Sequence, residues 1–298
     1  MVAFIDQHRD TYGVEPICAQ LPIAPATYDR AKLHDRAPKR RAPRVRGDEP
    51  LRTAIQQTWD AHLQVYGARK VWEPLRRDGH TVARCTVERL MRQMGLRGAT
   101  RGRAWTITTR PAATTDRPTD LVERRFTATR PDQLWVADFT DVPTWQGFVY
   151  VAVVIDVFTR RIVGWRVSSS LVSTFVPDAL EQVISARGPA ADGGRIHHSD
   201  RGTQYLSMRY TQRLTEVGIE PSVGSRGDSY DNALAESVIG LFKTEVIRRR
   251  GPWRHLEAVE YATLAWVDWF NTRRLHSALG YVPPAEYEAR YDEQANVA

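Results

Sequence analysis

Cysteine is nearly absent. The chain has only Cys18 and Cys85 in 298 residues, too few and too far apart for a disulfide framework or a cysteine-rich zinc module, so both are expected as reduced thiols in a core. No apolar run approaches the ~20 residues that span a bilayer, and the longest, Phe148 to Ile155, has the length of a strand. The opening residues show no basic-then-apolar leader, so an intracellular protein is expected. Lysine is scarce too: of 42 basic residues only four are Lys. Apolar residues are not lacking. A hydrophobic share of 42% with 26% charged residues matches a soluble globular chain and excludes wholesale disorder and fibrous repeats.

The net charge of +7 is unevenly spread. Residues 1–130 hold 25 Lys+Arg against 14 Asp+Glu, whereas residues 131–298 hold 17 against 21. Arg30 to Arg46 carries eight basic residues against the acid Asp35, and Arg84 to Arg110 carries seven against Glu88. Such strips attract a polyanion by steering and counterion release. The alternative is a solvated, arginine-rich surface.

Composition divides the chain into five stretches. Residues 1–50, rich in Pro and Arg, read as an irregular basic arm with little packing capacity. Residues 51–98 read as a small all-α domain: Leu51, Ile55, Trp59, Leu63 and Tyr66 recur near helical spacing, Val71 to Leu75 offers a second helix, and Val87, Leu90, Met91 and Met94 line a third that Gly95 ends. Three short helices with glycine turns and an arginine-rich last helix suggest a helix-turn-helix domain. Residues 99–130 are polar and aperiodic, a linker. From 131 to 250 the pattern becomes βββαβαβα: LWVADFTDV, FVYVAVVIDVF and RIVGWRV predict an antiparallel meander, followed by a helix at Val172 to Ala186, a strand at Arg195 to His198, a helix at Met208 to Val217, a strand at Ile219 to Val223 and a long helix from Asn232 to about Arg249. This is an α/β arrangement, a mixed sheet with helices on both faces. Residues 251–298 form a C-terminal helical extension rich in Trp and Tyr.

Three acids stand out against this background. Asp is depleted in strands, yet Asp138 lies inside LWVADFTDV. Asp200 ends a short strand in HHSDRGTQY, at the carboxyl edge where α/β sites form. Glu236 lies on the long helix, where Leu234, Val238, Leu241, Phe242 and Val246 make the apolar stripe and Asn232, Glu236, Gly240 and Lys243 the polar face. Singly, each acid reads as readily as a strand-end, turn or solvated residue. Together, with 61 residues between the first two and 35 between the last two, they resemble the catalytic triad of the retroviral-integrase-like DDE transposases, which have a ribonuclease-H-like fold.

The resemblance runs through WVADFTDV, VVIDVFTRRIVGW, HHSDRGTQY, SRGDSYDNALAES and WFNTRRLHSALGYVPPAEY, which look like the second-reading-frame transposase of bacterial insertion sequences. YGARKVWEPLRRDG with TVERLMRQMGL is similar to that group's helix-turn-helix module. It implies a metal-dependent DNA transposase that cleaves 3′ ends and transfers strands, with Asp138, Asp200 and Glu236 as catalytic residues and ligands of two Mg²⁺ ions, Mn²⁺ substituting. Hard cations take carboxylate oxygens and can stabilise both the attacking and the leaving oxygen of a phosphodiester. No side-chain nucleophile is required, unlike in serine or tyrosine recombinases.

Lys243, two helical turns beyond Glu236, and Asn232, one turn before it, are candidate DNA contacts, as are Arg84, Arg89 and Arg92 on the third helix and Arg40 and Arg41 in the arm. His197 and His198 suit Mg²⁺ poorly as ligands and are expected to pack. Asp141 and Asp156 are expected to be structural. The resemblance further implies element ends and target DNA as partners, a homodimer or higher oligomer on DNA, the upstream-frame protein, and a cytoplasmic, nucleoid-associated setting without a membrane. Two other functions fit parts of the pattern: a DNA-binding regulator with an inactive core, and a ribonuclease-H-type nuclease.

Overall fold

In the computed structural model, the residues described are 1–37, 43–100, 122, 127–171, 175–188, 194–199, 208–223 and 233–296. They form two compact units, one of Met1–Ala61 with Ala68–Arg97 and one of His62–Gly67 with Gly98–Ala298.

The first unit is helical. Residues 1–37, expected as an irregular arm, instead form α1 (Val2–Tyr12), α2 (Val14–Gln20) and α3 (Pro25–Arg36). Their small core is Ile5, Ile17, Cys18 and Tyr28. Tyr28 Oη and Lys32 Nζ donate to the two oxygens of Asp6, at 2.8 and 3.0 Å. So few apolar residues, spread over helices of seven to twelve residues, leave no long periodic window in the sequence. The same unit contains α4 (Pro43–Ala61), α5 (Ala68–Arg77) and α6 (Arg84–Gln93). Ile55, Val71, Leu75, Val87, Leu90 and Met91 are buried. Between α5 and α6 the chain reverses through Gly79 at φ 86°, and Trp72 Nε1 donates to the Val82 carbonyl at 2.7 Å, fastening the turn to α5. α4 ends at Ala61, short of the expected end near Gly67, because Leu63 and Gln64 take left-handed backbone angles. Cys85, expected inside, is exposed: Val87, Leu90 and Met91 define the inner face of α6, and position 85 lies about 200° from Val87 on the wheel.

The second unit is built on a five-stranded sheet of β1 (Leu134–Thr144), β2 (Gly147–Asp156), β3 (Ile162–Ser168), β4 (Arg195–Ser199) and β5 (Ile219–Val223) in the order β3-β2-β1-β4-β5. β1, β2 and β3 pair antiparallel, and β4 and β5 run parallel to β1. This is the mixed sheet that the sequence pattern predicted, in the ribonuclease-H-like form that the resemblance to the DDE transposases implied. Alternation along β1 and β2 buries both faces. Trp135, Ala137, Ala152 and Val154 pack with Ala179, Leu180 and Val183 of α7 (Phe175–Arg187) and with Tyr210 and Leu214 of α8 (Met208–Glu216). Gly164 of β3 lies so close to α7 that a Cβ there would stand 2.6 Å from the Ala179 carbonyl oxygen.

α9 (Ala233–Phe242) packs against β1 and β2. It continues through a π-helical stretch, Lys243–Ile247, into the short α10 (Arg248–Arg250). Its buried residues are Ala235, Val238, Ile239 and Phe242, so the inner stripe is turned relative to the expected one and Leu234 and Leu241 are only half-buried. α11 (Leu256–Thr272) packs against β3, with Trp266, Trp269 and Phe270 buried, and α12 (Pro284–Ala295) packs on α11. Asn271 of α11 holds Ile162 of β3 by both backbone groups: its Oδ1 accepts from Ile162 N–H at 2.9 Å and its Nδ2 donates to the Ile162 carbonyl at 2.8 Å. No helix among the described residues is long and apolar enough to cross a membrane.

Candidate active site

The site begins on β1. Along the β1–β4 ladder Ala137 pairs with Ser199, and the next residue of β1, Asp138, pairs on its other side with Val153 of β2. The half-buried Asp138 carboxylate accepts the Phe139 N–H at 2.8 Å. Asp138 shares its strand face with Val136 and Thr140, opposite the Trp135 and Ala137 side that meets α7 and α8. Asp200 follows Ser199 directly in the sequence but lies outside the described residues, as do Asn232, Arg40 and Arg41.

Glu236 is exposed in the first turn of α9. At about 100° per residue it flanks the inner stripe centred on Ala235 and Phe242 rather than opposing it, so it sits at the margin of the helix that covers β1. Lys243 begins the π-helical stretch, and its Nζ stands 3.8 Å from Asp141 Oδ1. That half-exposed pair is worth about 0–1 kcal/mol, but it fixes where the ammonium lies: beside β1, three residues beyond Asp138. Among the described residues no three His, Cys, Asp or Glu side chains gather as a metal-holding group.

Neighbouring titratable groups are engaged within the fold. His197 is fully buried against Tyr210, whose Oη lies 3.0 Å from Nε2. Burial first, then the neighbouring His198, depresses the His197 imidazole to about 3, which keeps it neutral at physiological pH. His198 shares β1's Val136 register and its Nδ1 lies 2.9 Å from Ser222 Oγ of β5. Asp156 accepts from Thr159 N–H and Oγ1 at 2.6 and 2.7 Å and from Asp132 N–H at 2.7 Å, closing the β2–β3 turn. Burial raises its carboxyl despite those bonds.

In the helical unit, Arg84 and Arg92 are exposed on α6, and Arg92 pairs with Glu88 at 3.3 Å. Arg89 is engaged: its Nη2 donates to Asp48 Oδ1 of α4 at 2.8 Å.

One feature of the site escaped the sequence reading. Glu245, in the π-helical stretch, is buried and bound by Arg274 and Trp266. The signal was present in LFKTEVI, where an acid lies beside Val246 on the apolar side of the helix.

This sheet order, with an acid on β1 at Asp138 and a glutamate exposed on the helix that covers β1, is that of an integrase-type core preceded by a helix-turn-helix-like unit. Residues 128–229 and 217–284 each match a family model described as Integrase core domain, and residues 46–104 match one described as HTH-like domain. The chain is 54% identical to the transposase for insertion sequence element IS629 of Shigella sonnei, over 98% of this chain and 96% of that one. It is 53% identical to the putative transposase for insertion sequence element IS986/IS6110 of Mycobacterium tuberculosis, over 92% and 98%. Among solved structures, the HTLV-2 integrase catalytic core domain in complex with magnesium aligns with 54% of this chain and 99% of that chain, at 16% identity and a TM-score of 0.43. The chain therefore belongs to the insertion-sequence transposases, a family of polynucleotidyl transferases.

Proposed function

We propose that the chain is a DNA transposase that cuts the 3′ ends of its element and joins them to target DNA, with Asp138, Asp200 and Glu236 as its catalytic residues. The observation that carries this reading is the register of the β1–β4 ladder. Ala137 pairs with Ser199, and the residue that follows each of them in the sequence is an aspartate, Asp138 and Asp200. The donor set is all carboxylate, which suits hard divalent cations, and the margin position of Glu236 on the helix packed over β1 supports its joining the same group. The three acids would hold two Mg²⁺ ions, or Mn²⁺ in their place. When bound, such ions stabilise charge on the attacking and leaving oxygens of a phosphodiester.

The protein's own residues do the remainder. Asp138 is held in place by the Phe139 N–H. Lys243, beside β1, offers a cation to the phosphate flanking the reacting bond, and Asn232 would contact the terminal nucleotides. Residues 51–98 serve as the end-recognition domain, with Arg84 and Arg92 presented to DNA and Arg89 tying α6 to α4 through Asp48. Residues 131–250 serve as the core, 99–130 as linker and 251–298 as extension. Arg40 and Arg41 add charge for the backbone. Joining two ends calls for at least two protomers on DNA, with the upstream-frame protein as a further partner, in a cytoplasmic, nucleoid-associated setting.

The test is cleavage and joining of labelled duplexes carrying the flanking element ends, with Mg²⁺. Asp138→Asn, Asp200→Asn and Glu236→Gln should each lower the rate by about a thousandfold or more, as expected for removing a group that acts in the transition state. Undiminished cutting by any of them would falsify the triad. Tight, salt-sensitive binding with no metal-dependent nicking by the unaltered protein would instead support a DNA-binding regulator, and a preference for RNA:DNA hybrids a ribonuclease-H-type nuclease.

A further inference from the structure

The hairpin joining β1 to β2 ends in two large aromatic side chains facing solvent, Trp145 at 68% exposure and Phe148 at 57%. Single exposed aromatics are ordinary; these two have a particular setting. Trp145 N–H donates to the Trp253 carbonyl at 3.0 Å, Thr144 bridges to Trp253, and Trp253 Nε1 donates to the Ile247 carbonyl at 3.1 Å. The hairpin tip is thereby fastened to the far end of the α9–α10 helix. The segment it meets reads RRRGPWRH, from Arg248 to His255, without an acid. Arg248, Arg249, Arg250 and Arg254 are all exposed. The Arg254 guanidinium lies 5.4 Å from the centroid of the Trp145 ring.

This local positive charge stands out because residues 131–298 as a whole carry more acids than bases. Guanidinium groups suit phosphate oxygens, and an indole braced by a cation suits stacking on a base. A nucleic acid strand supplies both at the spacing of one nucleotide. Trp145 lies seven positions beyond Asp138, roughly 23 Å of extended chain, or about seven nucleotides of a DNA strand. Lys243 lies along that path, beside Asp141.

We propose that the β1–β2 hairpin tip and the Arg248 to Arg254 segment form a second DNA-contact surface, which grips an unpaired strand about seven nucleotides from the reacting phosphodiester through arginine–phosphate pairs and stacks Trp145 on one of its bases. This rests on the transposase reading above for the position of the reacting bond, but not for the binding itself.

The test uses the full chain and fluorescent duplexes in which one strand continues unpaired for either about four or about twelve nucleotides beyond the cleaved bond, lengths that fall short of or pass the hairpin tip. Wild-type protein should bind the longer-tailed duplex about tenfold more tightly, the gain expected from one stacked base and its phosphate contacts. Trp145→Ala and Arg254→Ala should each reduce that preference several-fold, and Arg254→Ala should also flatten the salt dependence. Trp145→Phe, which keeps a ring, should retain most of it. Should Trp145→Ala fail to fold, Trp145→Phe combined with Arg254→Gln carries the same measurement through its charge arm. Equal binding of both duplexes by wild type, or an undiminished preference in Trp145→Ala and Arg254→Ala, overturns the surface. Asp138→Asn separates the two readings: it should lose cutting and keep the length preference. A wild-type protein that prefers the longer-tailed duplex but never cuts it would sink the transposase reading and leave this surface standing.

Discussion

Arg274 closes a two-point ion pair with Glu245: Nε lies 3.2 Å from Oε2 and Nη2 lies 2.6 Å from Oε1, with the side chains only 5% and 6% exposed. Trp266 Nε1 adds a third donor to Oε2 at 3.1 Å. A π-helical turn carries one more residue than an α-turn and is often found at functional sites. Here it brings Glu245 inward while Lys243 stays beside β1. Removing one partner leaves the other charged and buried, which costs about 3–5 kcal/mol, whereas replacing both by apolar residues is often neutral. Arg274→Met should therefore lower the unfolding free energy by that amount in urea titrations, and Glu245→Leu with Arg274→Met should recover most of it. A single variant as stable as wild type would contradict this account.

Glu288 gives the fold an acid-sensitive joint. Burial alone would raise its carboxyl, but hydrogen bonds and charge from Arg187 and Arg161 outweigh burial and hold it below its usual value. A carboxyl with a depressed folded pKa contributes stability that is full above the unfolded value, 4.5, and is lost as pH falls through the folded one. Thermal unfolding followed by circular dichroism should show the midpoint dropping below that pH. Glu288→Gln should lower the midpoint at neutral pH and shrink the acid-dependent part of the drop.

Gly164 admits no side chain. A Cβ would lie 2.3 Å from Val183 Cγ2 and 2.6 Å from the Ala179 carbonyl oxygen, and the second of these is backbone that cannot turn aside. Gly164→Ala should destabilise the second unit by about 1–3 kcal/mol, the usual range for overpacking. Adding Val183→Ala should relieve only the side-chain part of the clash.

Acids gathered for a metal repel one another without it. Asp138→Asn keeps an oxygen for the Phe139 N–H while removing a charge. In metal-free buffer it should melt at the same temperature as wild type or higher, although it cuts nothing. Chelation of wild type should likewise abolish cutting, with Mn²⁺ restoring it. A variant that melts well below wild type would show that the Asp138 charge contributes more to the fold than the repulsion it brings.

Much of the core was legible because its strands are long and bounded by turn residues. The βββαβαβα order and the span of β5 follow from runs such as FVYVAVVIDVF and from Gly147, which takes φ 112° at the hairpin. That Glu236 lies off the apolar stripe of α9 was legible from helical spacing, but its place at the margin of that stripe was not. The turned inner stripe was not, because the small Ala235, with Ile239, faces inward where the sequence offered the larger Leu234 and Leu241. Nor were α1 to α3, whose core depends on side chains such as Asp6 and Tyr28, far apart in the sequence and joined only in the fold. Cys85 was misplaced because two positions decide which way a short helix faces.

The Asn271 clasp on Ile162 has a consequence for where the catalytic region can be cut. β3 is an outermost strand, and an open strand edge invites pairing with other chains. With Asn271 seated on it, that edge is stoppered by a residue more than a hundred positions downstream. A fragment ending before α11 would keep all five strands yet expose a sticky border, so solubility, and not only activity, ties the integrase-type core to its C-terminal helix.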